Sequence, residues 1–174
     1  MGPQIMTVSG TYFDFIEPAN SEFTIEDIAH ALANICRFTG HVKKFYSVAQ
    51  HSVYVSFLVP VEHALAGLLH DAAEAFLGDV SSPLKQLLPD YKAIEKRVEE
   101  EVLERVGLSL PLDPCIKQAD LIMLATEKRD LMMPSTRHGW ELLRGVTALP
   151  APLEPWSPKK SEKEFLKRYY DLRQ

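Results

Sequence analysis

Cysteine is scarce in this chain: Cys36 and Cys115 are the two present, and they do not stand in C-x-x-C spacing. The start of the sequence also lacks a cationic segment followed by an apolar one, so the expectation is a reduced, cytoplasmic protein rather than a secreted, disulfide-stapled one. Positive charge is short as well, with 19 Lys and Arg against 24 Asp and Glu and a formal net charge of -5. No polybasic field exists to hold a long nucleic acid by counterion release. One phosphate needs only a local cluster of cations and donors, so a mononucleotide stays open. Long apolar runs are missing too: Ala64 to Leu69 is cut at once by His70 and Asp71, short of the roughly 18 residues that span a bilayer. A membrane function is not expected. There is no internal repeat and no low-complexity tract.

What the chain does have is enough apolar material, 46% of 174 residues, to bury a continuous core. One domain over residues 1–174 is expected, with its core at about 24–133 and an irregular segment and helix at 134–174. Residues 6–15, MTVSGTYFDF, alternate β-formers with polar residues around Ser9-Gly10 and predict a short hairpin. Thr24 followed by Asp27 resembles a capping box, and Ile25, Ile28, Ala29, Leu32 and Ile35 mark one face of a helix that should stop near Arg37. A second helix runs from Ser47 to Pro60 and a third from Val61 to near Gly78, the short break favouring an antiparallel pair. Residues 90–106 read as a charged surface helix, with Glu95, Lys96, Glu99 and Glu100 solvated and no chemistry assigned. Residues 113–132 resume a buried pattern in which Asp120 is the most deeply set acid. Prolines 134, 150, 152 and 155 predict an irregular connection with one helical turn at Trp140 to Leu143, and Ser157-Pro158 opens a last helix. The predicted architecture is all-α, a helical bundle with a short N-terminal β-hairpin.

Polar side chains in an apolar helical stripe are costly unless they are paired, hydrogen-bonded or bound to metal. His70-Asp71 alone fits a satisfied core histidine as well as a ligand. Adding His51 and Asp120, each in its own apolar helix, gives three helices that send possible ligands inward. Two imidazoles and two carboxylates suit Zn, Mn, Co, Fe or Ni better than Mg or Ca. Of the other histidines, His30 reads as a hydrogen-bonded core residue, His41 as a loop residue near the substrate, and His63 and His138 as solvent-facing.

The pattern H…HD…D, carried by His51, His70-Asp71 and Asp120, resembles the HD-domain phosphohydrolases. SVAQHS, LLHDAAEAFLGDVSSPLK and KQAD are similar to the bacterial 5'-deoxynucleotidase branch. DIAHALANICRFTGHVKKFYSVAQHS resembles small bacterial and phage members that include dATP triphosphohydrolases, and the likeness covers about residues 6–133. The resemblance implies an HD-domain bundle with a divalent transition metal, Zn, Co or Mn, on those four residues, and leaves room for a second divalent ion with the substrate phosphates. Glu74, four residues after His70 on the same helical face, is then the residue that orients or deprotonates water. The resemblance gives Asp79 a role at the sugar or the leaving 5'-oxygen, and Arg37 a bidentate grip on phosphate. Phe38 stands where the deoxynucleotidases carry tryptophan and would stack on a base. Lys85 and Lys117 match phosphate-side lysines, and Lys43 and Lys44 could add charge for further phosphates.

Two catalytic versions follow. The first is a dATP/dNTP triphosphohydrolase giving deoxynucleoside plus polyphosphate, towards which the CRFTGH segment tilts the reading. The alternative is a 5'-deoxynucleotidase acting on monophosphates. A reading of another class is a non-catalytic nucleotide-binding sensor, which would be signalled by a missing ligand or Glu74; none is missing. The expected partner is a deoxynucleotide, with no long nucleic acid and no membrane. Family habit suggests a homo-oligomer built on the helix after Asp90 or on the last helix.

Overall fold

The computed structural model describes residues 2–135 and 139–174; His138 lies outside them. Strands β1 (Gln4–Met6) and β2 (Tyr12–Asp14) pair antiparallel with Gln4 opposite Asp14 and Met6 opposite Tyr12. The hairpin thus begins two residues before the expected stretch. Phe13 turns inward and is fully buried, stacked on Phe76 at 3.9 Å with the rings 14° apart.

The expected capping box is present at the start of α1 (Ile25–Asn34): the Thr24 hydroxyl accepts from Asp27 N, and Asp27 accepts from Thr24 N. The same Asp27 carboxylate takes the Ser9 backbone N–H and hydroxyl, both at 2.9 Å, which ties the hairpin turn to the helix. Helix α1 ends three residues before Arg37 because Ile35 and Cys36 turn extended, Cys36 bridging to Ser47. Arg37 to Gly40 then form a tight turn in which Phe38 (φ 57) and Thr39 (φ 54) both adopt the left-handed conformation, unusual for non-glycine residues.

Helix α2 (Val48–Leu58), capped by Ser47, is buried on nearly all sides, as expected of a helix at the centre of a bundle. Two of its buried polar residues are satisfied from the C-terminal part of the chain. Gln50 accepts from Trp156 N and donates to the Glu154 carbonyl, while Ser56 receives Arg168 of α8 (Pro158–Leu172). After a one-turn coil at Val61–His63, α3 (Ala64–Leu69) packs on α2 at Gly67. A Cβ there would stand 3.3 Å from Ser56 Cα.

The sequence predicted one continuous helix from Val61 to Gly78. The structure breaks it: Ala72 N bonds to Leu69 O and Glu74 N to Asp71 O, three residues back rather than four, before α4 (Glu74–Leu77). This tighter winding rotates His70 and Asp71 relative to a regular helix. A short α5 (Ser82–Lys85) and the long α6 (Pro89–Arg105) follow, α6 burying Val98, Val102 and Leu103. Helix α7 (Pro114–Leu131) carries Asp120. The irregular segment behind it is strapped to α7 by Leu149 N to Thr126 Oγ1 and Leu153 N to Asp130, with a single helical turn at Glu141–Leu143. No helix among the described residues is long and apolar enough to cross a membrane.

Candidate metal centre

Helices α2 and α7 and the tight turn after α3 bring His51, Asp120 and His70-Asp71 to one point. His51, His70 and Asp120 each offer an atom within 4.8 Å of the others. Asp71 Oδ2 lies 3.2 Å from His70 Nε2 and 3.7 Å from His51 Nε2. Both imidazoles are held by their far nitrogens: His51 Nδ1 donates to Glu127 Oε1 at 2.6 Å and His70 Nδ1 to the Gly67 carbonyl at 2.9 Å. With Nδ1 carrying the proton, Nε2 presents its lone pair to the cluster. Both Nε2 atoms are buried and lack a hydrogen-bond partner. His51 Nε2 is 3.3 Å from Asp120 Oδ1 but outside hydrogen-bond alignment.

Two orphaned buried nitrogens facing two carboxylates are acceptors gathered around a place where a cation belongs, and the donor set fits a divalent metal ion. The electrostatics agree. Burial opposes the charges on Asp71 and Asp120, yet His70 and His51 hold Asp71, and His51 and His70 hold Asp120, well below the ordinary carboxylate range. Burial and Arg37 push the His51 pKa down, but Glu127 and Asp120 more than reverse this and raise it to about 9.

Around this cluster the structure gathers most of the other predicted residues. Glu74 is nearly buried, and burial, Asp71 and Asp79 push its carboxyl well above the usual range against the opposing pull of Arg37 and Lys85. Its Oε2 has no hydrogen-bond partner. Lys85 stands 3.8 Å from Glu74 Oε1 and pairs with Glu95. The α6 helix, read from sequence as a purely solvated face, therefore delivers Glu95 to the edge of the site; an i, i+4 charge pattern does not reveal a partner on another helix.

Arg37 is buried, its Nη1 3.6 Å from Asp71 Oδ2 and its Nε donating to Glu127 at 3.1 Å. Asp79 Oδ2 accepts the Phe38 N–H at 3.2 Å, securing the left-handed turn beside Arg37. Phe38 is half-buried rather than a core aromatic, with its ring 6.3 Å from Trp140. Lys117 contacts Asp120 Oδ2 at 2.7 Å, but its side chain is 70% exposed.

The remaining histidines among the described residues are not part of the cluster. His30 is half-exposed against Glu162 instead of buried in the core, because α8 covers that edge of α1 only partly. His41 is exposed. His63, Asp113 and Cys115 form a second group with ligand atoms within 4.8 Å. There, Asp113 is already the N-cap of α7, and burial and Asp113 push the Cys115 thiol up to about 11.

Besides Glu95, a second residue of this site escaped the sequence reading. Glu127 is fully buried and reaches both His51 and Arg37. Its signal was its place seven residues after Asp120, two turns along the same face of α7.

Comparison with known proteins gives this geometry a class. A family model described as 5'-deoxynucleotidase YfbR-like matches residues 22–131. The uncharacterized protein YfdR of Escherichia coli is 44% identical over 169 residues, 97% of this chain and 94% of that one. An uncharacterized protein of Rhodobacter capsulatus is 34% identical over 138 residues, 71% of this chain and 70% of its own length. The chain belongs to the YfbR-like 5'-deoxynucleotidase family and is a phosphohydrolase of the HD-domain class.

Proposed function

We propose that this protein is a metal-dependent 5'-deoxynucleotidase that hydrolyses a deoxynucleoside monophosphate to deoxynucleoside and phosphate. The observation that carries this reading is the supply of positive charge. Arg37 is the buried cation beside the cluster, whereas three of the four lysines available to β and γ phosphates already hold partners and the fourth, Lys44, is exposed. Lys85 is paired with Glu95 and Glu74, Lys117 with Asp120, and Lys43 with the Asp130 carbonyl. The family match also favours the monophosphatase over the triphosphohydrolase towards which the sequence tilted.

His51, His70, Asp71 and Asp120 would hold the divalent ion, with Zn, Co and Mn the metals best suited to the donor set. When bound, such an ion supplies Lewis acidity at the phosphoryl oxygen and acidifies water. Arg37 orients the phosphate through its terminal nitrogens. Glu74 takes a proton from the attacking water as the new P–O bond forms and the P–O5' bond breaks, and that same proton passes to the leaving 5'-oxygen, which lies beside Asp79. Phe38 and Trp140 offer aromatic surface for the base. A full set of acids and ligands around the cluster speaks against a sensor without turnover.

The test is incubation of the metal-loaded protein with dAMP, dADP and dATP, the products being resolved by chromatography. Deoxyadenosine and phosphate from dAMP are expected; release of intact triphosphate from dATP would overturn the monophosphate reading.

A further inference from the structure

We propose that Glu127 is a positioning residue that couples the metal centre to the phosphate-binding arginine, an inference that rests on the nucleotidase reading of the site. Glu127 is fully excluded from solvent on α7. An isolated buried carboxylate is costly, so its two oxygens must be matched, and they are matched to two different functional groups. Oε1 takes the His51 Nδ1 proton at 2.6 Å, and Oε2 takes Arg37 Nε at 3.1 Å.

Each bond fixes the opposite end of its partner. Holding Nδ1–H commits the His51 Nε2 lone pair to the cluster and sets the ring angle. Holding Nε of a planar guanidinium removes rotation about the side chain and turns the terminal nitrogens toward the cluster, where Nη1 stands 3.6 Å from Asp71 Oδ2 and both can meet an anion. Arg37 and Glu127 lie 90 positions apart in sequence, and Glu127 and His51 76 apart. One carboxylate is thus the rigid link between three segments. A change at the metal moves His51, and through Glu127 it moves Arg37; phosphate on Arg37 acts back by the same route, as linkage requires.

The experiment uses full-length wild-type protein and Glu127→Gln, which keeps shape but replaces one acceptor oxygen with a donor. Far-UV circular dichroism establishes folding. Co2+ affinity is read by chelator competition, inorganic phosphate affinity by calorimetry at saturating Co2+, and KM and kcat on dAMP. Glu127→Gln is expected to weaken Co2+ binding about 10- to 100-fold, as loss of a carboxylate behind a metal-binding histidine does. It should also weaken phosphate binding and raise KM when Co2+ is saturating. Unchanged Co2+ affinity would overturn the link to His51, and unchanged phosphate affinity at saturating Co2+ would overturn the coupling. Should the variant not fold, 15N NMR of histidine-labelled, Zn2+-loaded wild type decides: a strongly downfield Nδ1–H for His51 supports the proposal, and an unprotonated Nδ1 overturns it. If wild type binds Co2+ and phosphate but hydrolyses no nucleotide, the nucleotidase reading fails while the binding measurements still judge Glu127.

Discussion

Replacing Phe13 with alanine would remove a side chain from beneath the catalytic face although it lies far from it in sequence. Phe13 is fully buried, stacked on Phe76 at 3.9 Å and flanked by Phe23 at 5.7 Å and Phe15 at 5.8 Å. Phe76 sits two residues after Glu74 on α4, so the cavity would open beneath the short helix that carries the proposed base. Deleting a buried phenylalanine costs about 3 to 5 kcal/mol in lost transfer free energy and unfilled volume. Close aromatic partners place Phe13→Ala in the upper half of that range. Against a typical total of roughly 5 to 15 kcal/mol, this is a large fraction. Urea unfolding followed by circular dichroism should show a lower midpoint with an unchanged slope, and kcat on dAMP should fall as α4 relaxes. A loss below about 1 kcal/mol would mean that the hairpin is not part of the working core, and would refute the reasoning.

Glu74→Gln should retain bound metal while losing about 10²- to 10⁴-fold in kcat, whereas His70→Ala and Asp71→Ala should lose both metal and hydrolysis. Metal analysis of dialysed protein with phosphate-release assays separates the three, and equal activity in all would sink the assignment. Asp27 is buried, yet bonds from Thr24 and Ser9 outweigh that burial and lower its pKa. Its contribution to stability is therefore complete above the unfolded value of about 3.9 and disappears as pH falls through the lower folded value. Asp27→Asn should lower stability at neutral pH and flatten the acid limb of a stability-against-pH curve; an unaltered limb would contradict this. Gly67→Ala would place a Cβ 3.1 Å from Val59 Cγ2 and 3.3 Å from Ser56 Cα. Overpacking of about 1 to 3 kcal/mol outweighs a helix-propensity gain of about 1 kcal/mol. A lower melting temperature and weaker Co2+ binding are expected, and a stabilised variant would show that α2 and α3 can separate freely.

The parts of the fold visible in the sequence were those with local causes. Thr24 and Asp27 announced α1 because a capping box needs only three residues of separation. His51, His70, Asp71 and Asp120 stood out as polar residues in apolar stripes. The break at His70–Ala73 was invisible, since three-residue and four-residue hydrogen bonding leave nearly the same apolar pattern over one turn. Ile35 leaves the helix because of its pairing with Val48 across the Cys36–Ser47 bridge, a cause that no propensity encodes. Glu127 was hidden in the charged run EKRD, where its neighbours Lys128 and Arg129 are solvent-facing or strap the irregular segment. Glu95 was hidden likewise, its partner arriving from α5.

The Cys36–Ser47 bridge separates two inheritances within one short stretch of chain. Arg37 N bonds to Tyr46 O at 2.9 Å and Val48 N to Ile35 O at 3.1 Å, so the stem that sets Arg37 against His51 is stitched shut independently of what hangs from it. Doubling the length of a flexible loop costs only about 0.6 kcal/mol in closure entropy. Phe38 and Lys43 are anchored by their N–H groups to Asp79 and the Leu131 carbonyl, so the exchangeable part of the loop is what lies between and after them: its sequence can drift, or be grafted from a relative, while Arg37 and His51 keep their spacing.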